Sequence, residues 1–161
     1  MKLVKESLYE SLENYLEPKS ENEIVHSLST LSKEELNKKL LDAAFNGLTT
    51  VIKYIIKAGA DVNTKDKYGR TALHYSSYKG YKQNVKILLN AGADINIKDY
   101  NGHAALYFAA SYGKLSIVKI LLEAGADINS KDRIGYTALY YATDYGYERI
   151  VKLLKSYGAK E

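Results

Sequence analysis

The side chains able to carry covalent or metal chemistry in this sequence are few and scattered. There is no cysteine, so there is no thiolate nucleophile, thiolate metal site or disulfide framework. The three histidines, His26, His74 and His103, show no metal-ligand spacing. No carboxylate pair stands out as an acid–base couple would. The glycines do not gather into a phosphate-binding loop of the P-loop or dinucleotide kind. What remains is recognition chemistry. Sixteen tyrosines stand against two phenylalanines and no tryptophan, and lysine recurs at positions 53, 86, 119 and 152. Tyrosine offers large contact area with few rotatable bonds. In KDYNGHAAL, residues 98–106, a tyrosine even occupies what reads as a tight exposed turn, where a ring buries little. These features point to a binding protein without cofactor or metal rather than to an enzyme.

The elements that must position such residues fit in one domain of 161 residues, enough for a real core. No run of about 18 apolar residues occurs, so no membrane-spanning helix is expected. The opening MKLVKESLYESLENYLEP breaks its apolar residues with charges, unlike a signal peptide. Both points favour a cytoplasmic protein, of the producing cell or of a host cell. The net charge of +4 is uneven. Residues 1–31 hold three lysines and six glutamates, whereas residues 32–161 hold twenty basic and thirteen acidic residues. That shift places a boundary near Ser32. Abundant Lys, Asn, Ile and Tyr also fit an AT-rich genome, so codon bias accounts for part of the tyrosine excess.

A repeat organises the rest. The string AGAD occurs at 58–61, 91–94 and 124–127. Gly69, Gly102 and Gly135 are 33 apart, as are Gly47, Gly80, Gly113 and Gly146. Within one unit, 66–98, Asp66 and Gly69 carry turn chemistry, and Thr71 is placed to cap a helix. Ala72, Leu73, Ser76 and Ser77 give that helix a narrow face of small residues, and Gly80 ends it. Val85, Leu88 and Leu89 line one stripe of a second helix, which Gly92 ends. Each unit therefore reads turn, helix, turn, helix. Helices so short need stacked neighbours to be stable.

The pattern D-x-x-G-x-T-A-L-H, a glycine near position 15, then V-x-x-L-L-x-x-G-A-D resembles the ankyrin repeat. The resemblance covers about four-fifths of the chain. It implies an all-α solenoid with short β-hairpin-like turns. Residues 1–31 form a helical extension and residues 32–161 the repeats: a capping repeat at 33–65, full units at 66–98 and 99–131, and a shortened one at 132–161. Ser32 and Glu35 have capping-box spacing at the start of the capping repeat, and Ser20 and Glu23 have it before IVHSL. Leu8, Leu12, Tyr15 and Leu16 predict a further helix over 2–17, ended by Pro18. The two helices are expected to cover the first repeat or, alternatively, to form a docking or self-association segment. Two departures from the family pattern are expected to loosen the stack. Ala72, Ala105 and Ala138 stand where the family usually has proline, and Ala104 replaces the capping threonine. His74 occupies the family's structural histidine position, taken by Tyr107 and Tyr140 in the next units. His26 reads as a surface residue.

The resemblance implies that hairpin tips and inner helices line one concave groove. Carried over, its positions are Lys67, Tyr68, Arg70, Tyr78 and Lys79, then Tyr100, Asn101, His103, Ser111 and Tyr112, then Arg133, Ile134, Tyr136, Asp144 and Tyr145. Six of these fifteen are tyrosine and four are Lys or Arg, which codon bias alone does not place on one face. Contact with a partner is the preferred reading. Packing of Tyr68 on Tyr100, and of Tyr78, Tyr112 and Tyr145 along the inner helices, is the alternative. Tyr75, Phe108 and Tyr141 read as semi-buried core, and Tyr81 and Tyr147 as packing between helices. The expected function is a monomeric protein–protein interaction module: an adaptor, inhibitor or effector, for a partner with an acidic, partly apolar patch. Nucleic acid is the alternative partner, bound through Lys65, Lys98, Lys131 and the lysines at 53, 86, 119 and 152. Asp66, Asp94, Asp99, Asp127 and Asp132 dilute that field. Asn63, Asn96 and Asn129 are assigned a structural role in their turns.

Overall fold

A computed structural model describes residues 20–160. The helix expected over 2–17 lies outside them. Among the described residues there are nine helices and no strand. They are α1 Glu21–Leu28, α2 Lys33–Asn46, α3 Thr49–Lys57, α4 Ala72–Lys79, α5 Lys82–Asn90, α6 Ala105–Ser111, α7 Leu115–Glu123, α8 Ala138–Asp144 and α9 Glu148–Ser156. Each repeat pairs an inner helix (α2, α4, α6, α8) with the outer helix that follows it.

The small-residue face read from the sequence is the reason the inner helices meet closely. Ala43, Ala44, Ser76, Ser77, Ala109, Ala110 and Ala142 are fully buried between them. The outer helices are held apart by Ile52, Ile55, Val85, Leu88, Ile117, Leu121, Ile150 and Leu154, also buried. Inner helices consequently make denser contacts along the stack than outer ones do, so the stack curves toward the inner side. The helices do not stand alone: one apolar core runs from Ile24 in α1 to Leu154 in α9.

Both capping boxes form. Ser32 N–H donates to Glu35 Oε2 at 2.9 Å, and Glu35 N–H donates to Ser32 Oγ at 3.2 Å. At α1 the pair is Ser20 N–H to Glu23 Oε2 at 2.6 Å and Glu23 N–H to Ser20 Oγ at 3.4 Å. Ile24 and Leu28 pin α1 to the core beside α3, and Lys57 reaches across to Glu21. In the stack α1 stands in the row of outer helices. At the other turns, Gly47 and Gly80 cap α2 and α4 with φ of 76° and 81°, a left-handed conformation that favours glycine.

The repeats are also joined by side-chain amides. Asn63, Asn96 and Asn129 each use Oδ1 to accept a backbone N–H from the next unit, that of Asp94, Asp127 and Lys160, at 2.8–2.9 Å, and Asn37 accepts that of Asp61 within the capping unit at 2.7 Å. The asparagines thus have the structural role assigned to them, and it extends from turn to turn.

Candidate functional site

The hairpin tips are built around one aspartate each. Asp66 N–H donates to Arg70 C=O at 2.9 Å, and Asp66 Oδ1 accepts the N–H groups of Tyr68 and Arg70 at 2.8 and 2.9 Å. Asp99 and Asp132 repeat the same set around Asn101 and His103, and around Ile134 and Tyr136. Adjacent tips are joined as well. Tyr100 N–H donates to Tyr68 C=O at 3.1 Å and Arg133 N–H to Asn101 C=O at 3.0 Å. The turns are hairpin-like in their bonding, yet so few ladder bonds form that no strand develops. Side chains on the tips stand on a backbone already fixed by hydrogen bonds.

The second oxygen of each aspartate is treated differently from unit to unit. The Tyr75 hydroxyl donates to Asp66 Oδ2, and the Tyr141 hydroxyl to Asp132 Oδ2 at 2.6 Å. Burial pushes the Tyr75 phenol up, and its bond to the Asp66 carboxylate adds to this, to about 12. Burial and Asp132 raise Tyr141 likewise. For Asp66, burial pushes the carboxyl up, but the bonds from Tyr75, Arg70 and Tyr68 outweigh it and hold the group below its ordinary range. The middle unit has Phe108 at this position and no hydroxyl to offer. There Arg70 of the preceding tip brings Nε to 3.4 Å from Asp99 Oδ2. Arg70 therefore serves the fold as well as the surface.

His74 ties two units together from beneath. Its ring is buried, and Nδ1 accepts the Thr71 N–H at 2.9 Å while lying 2.8 Å from the Thr71 hydroxyl oxygen. Since Nδ1 accepts, Nε2 carries the proton and donates to His103 C=O at 3.0 Å. Burial lowers the His74 pKa to about 4. The structural histidine expected from the sequence is in place.

The fifteen groove positions divide into three groups. Lys67, Tyr68, Tyr100, Asn101, Tyr112, Arg133, Ile134, Tyr136, Asp144 and Tyr145 are exposed. Arg70, Tyr78, Lys79 and His103 are half-buried. Ser111 is buried at 5% exposure and is not part of the accessible face. His103 is turned inward: its ring stacks on Tyr107 at 3.6 Å and lies 3.5–3.6 Å from the carboxylates of Asp99 and Asp132.

The two readings of the tyrosines meet in one surface. Tyr78 packs edge-on against Tyr112 at 4.5 Å, as the packing alternative predicts. Tyr100 instead covers Gly69, where an added Cβ would lie 2.8 Å from Tyr100 Cδ1. Tyr68 and Tyr100 nonetheless stay 52% and 56% exposed, so neighbour contact leaves half of each ring open to solvent. Tyr81 and Tyr147 lie over Gly47 and Gly113, packing between units as read from the sequence.

A cleft of about 270 Å³ opens on this face. Phe45, Arg70, His74, Tyr75, Tyr78, Phe108 and Tyr112 line it, from α2, the first tip, α4 and α6. Lys79 Nζ lies 4.3 Å from the centre of the Phe45 ring, and the Arg70 guanidinium 5.1 Å from that of Phe108. Phe45 escaped the sequence reading, although it lies 33 residues before Tyr78; the repeat step, continued into the capping unit, finds it. Tyr140 escaped too. It takes the position of His74 in its unit, but it is 42% exposed and stacks on Tyr136 at 3.8 Å.

The lysines fall elsewhere. Lys53, Lys86, Lys119 and Lys152 are exposed on the outer helices, away from the tyrosines of the tips and inner helices. Lys65 and Lys98 direct Nζ to the backbone carbonyls of Lys98 and Lys131, at 3.4 and 2.8 Å. Among the described residues no group of His and acidic side chains could hold a metal ion, and no helix is long and apolar enough to cross a membrane.

The family described as "Ankyrin repeats (3 copies)" matches residues 19–99, 40–132 and 100–161. Such repeats generally bind other proteins and are typically non-enzymatic. The Arabidopsis thaliana potassium channel SKOR is 38% identical over 78 residues, 44% of this chain and 9% of the channel. The potassium channel GORK of the same plant is 35% identical over 78 residues, 44% of this chain and 10% of that protein. The chain thus spans about a tenth of these channels. The putative ankyrin repeat protein RF_p14 of Rickettsia felis is 33% identical over 55 residues, 34% of this chain and 87% of that protein. With the repeat step, the bonded tips, the paired helices and these matches in agreement, the chain belongs to the ankyrin repeat family.

Proposed function

We propose that this protein is a non-enzymatic cytoplasmic adaptor, inhibitor or effector that docks another protein on the face made by its tips and inner helices. One observation carries the reading. Large tyrosines at the tips and inner-helix ends, Tyr68, Tyr100, Tyr112 and Tyr145, stay about half exposed on a backbone fixed by hydrogen bonds. Rigid aromatic anchors lose little entropy on binding, and Tyr and Arg dominate interface hot spots. Lys67, Arg70, Lys79 and Arg133 add positive charge to the same face, which suits a partner with an acidic, partly apolar patch. The protein acts as a monomer, by occupying or bridging its target. Helix α1 covers the first end of the stack formed by 32–161.

The test is affinity capture from cell lysate with the native chain and with a variant carrying Tyr68→Ala, Tyr100→Ala and Tyr112→Ala, matched for helicity. A protein held by the native chain and lost by the variant supports the groove as the site. Equal capture by both refutes it and moves attention to the outer helices. Capture that disappears with nuclease or added salt favours a polyanion instead, the partner that the outer-helix lysines would serve.

A further inference from the structure

Resting on that reading of the groove, we infer that its aromatic cleft is the anchor site for an aromatic residue flanked by acidic residues in an extended segment of the partner. Size comes first. At about 270 Å³ the cleft falls just below the roughly 300–1,000 Å³ of sites that enclose small-molecule ligands. It suits one inserted side chain.

The walls define that side chain. Phe45 meets Tyr75 edge-on at 5.5 Å, and Tyr78 meets Tyr112 edge-on at 4.5 Å. The cleft therefore offers ring faces and ring edges together, the arrangement into which another aromatic ring packs edge-to-face. An aliphatic side chain would fill the space without using those edges.

The rim defines the flanks. Lys79 lies over the Phe45 ring and Arg70 over the Phe108 ring, both rings being walls of the cleft, and no carboxylate lines it. The nearby acids are already engaged: Asp66 accepts from Tyr75, and Asp99 is 5% exposed and accepts from Arg70. Among the described residues Lys79 has no carboxylate partner, and its ammonium rests on Phe45 and Tyr78 alone. A carboxylate beside an inserted ring would gain Lys79 directly and share Arg70 with Asp99. A basic flank would meet two cations and no anion.

The experiment is fluorescence anisotropy with the full chain and three dye-labelled peptides: Gly-Glu-Tyr-Glu-Gly, Gly-Glu-Ala-Glu-Gly and Gly-Lys-Tyr-Lys-Gly. The first should bind about tenfold tighter than either of the others. Tyr78→Ala and Lys79→Gln should each weaken it by about tenfold, while Lys119→Gln on the outer helix leaves it unchanged. Lys79→Gln breaks no ion pair but gives up the contacts with the Phe45 and Tyr78 rings, so its thermal unfolding is matched to the native chain before binding is compared. Equal binding of the three peptides, indifference to Lys79→Gln and Tyr78→Ala, or no binding at millimolar peptide overturns the inference. If the peptide fails while the triple tyrosine variant still loses its captured protein, the groove stands and this anchor falls. If that variant loses nothing, the groove itself falls.

Discussion

Replacing His74 with glutamine should flatten the response of stability to acid between about pH 6.5 and pH 4. The ring is 2% exposed, and burial is the largest cause of its lowered pKa, from 6.5 to about 4. The bond to His103 C=O and the charge of Asp99 pull the other way and lose. The sign follows from proton binding. Below about pH 6.5 the unfolded chain protonates this histidine, and the folded one does not until about pH 4. The stabilisation is therefore complete above the unfolded value and is lost as the pH falls toward the folded one. At about 1.4 kcal/mol per pH unit, the interval amounts to roughly 3 kcal/mol, a large part of the ~5–15 kcal/mol that holds an ordinary domain together. Asp66 and Asp132, with carboxyls held below their ordinary range, keep their contribution over this window and lose it only at lower pH. Urea unfolding at steps from pH 7.5 to 4.5 gives the measurement. The slopes are compared rather than the levels, because glutamine also weakens the bonds to Thr71 and His103 at every pH. Parallel profiles for native and variant chains would refute the burial argument.

Two further substitutions probe the scaffold. Ala104 has the same extended backbone as Thr137, φ −89° and ψ 173° against −100° and 169°, but no side-chain cap. In Ala104→Thr the hydroxyl should accept the Tyr107 N–H as Thr137 accepts that of Tyr140 at 3.3 Å, a gain of about 0.5–2 kcal/mol. That corresponds to a melting temperature higher by roughly 2–4 °C per kcal/mol, and a lower one would sink the idea. Gly69→Ala should cost more than Gly92→Ala, both measured by thermal unfolding. Each glycine has positive φ, 78° and 86°, but only Gly69 has the Tyr100 ring and backbone within 3.0 Å of the new Cβ. The shared strain is about 1–2 kcal/mol, and equal costs would show that Tyr100 yields freely.

Much of the fold was legible because its signals are local and repeated. Two serine–glutamate pairs foretold two capping boxes, and glycines every 33 residues foretold the left-handed turns. The site was legible only in part, because exposure depends on what the neighbouring unit presents. Ser111 carries a groove position of its unit yet is buried, whereas the adjacent Tyr112 is open. Tyr140 holds the place of a buried histidine yet is exposed and stacks on Tyr136, because no further tip lies over it among the described residues. Phe45 required treating the capping unit as a repeat like the others.

On the proposed reading of the groove, recognition and stability share a residue in the middle unit. It lacks the threonine cap at Ala104, and Phe108 removes the hydroxyl that Tyr75 and Tyr141 give to their aspartates. Asp99 is nearly inaccessible, and a buried carboxylate without a partner is costly. Arg70, from the tip before, supplies that partner and in doing so places its guanidinium over the Phe108 ring at the cleft. One arginine thus compensates a missing hydroxyl and presents a cation to the groove. An anion bound there would compete with Asp99 for the same charge, which would link binding at the proposed cleft to the seam between the first two tips. Lys79 carries no such second duty. The two cations at the rim are chemically alike in charge but not in consequence: removing Lys79 alters the surface, whereas removing Arg70 alters the surface and the stack beneath it.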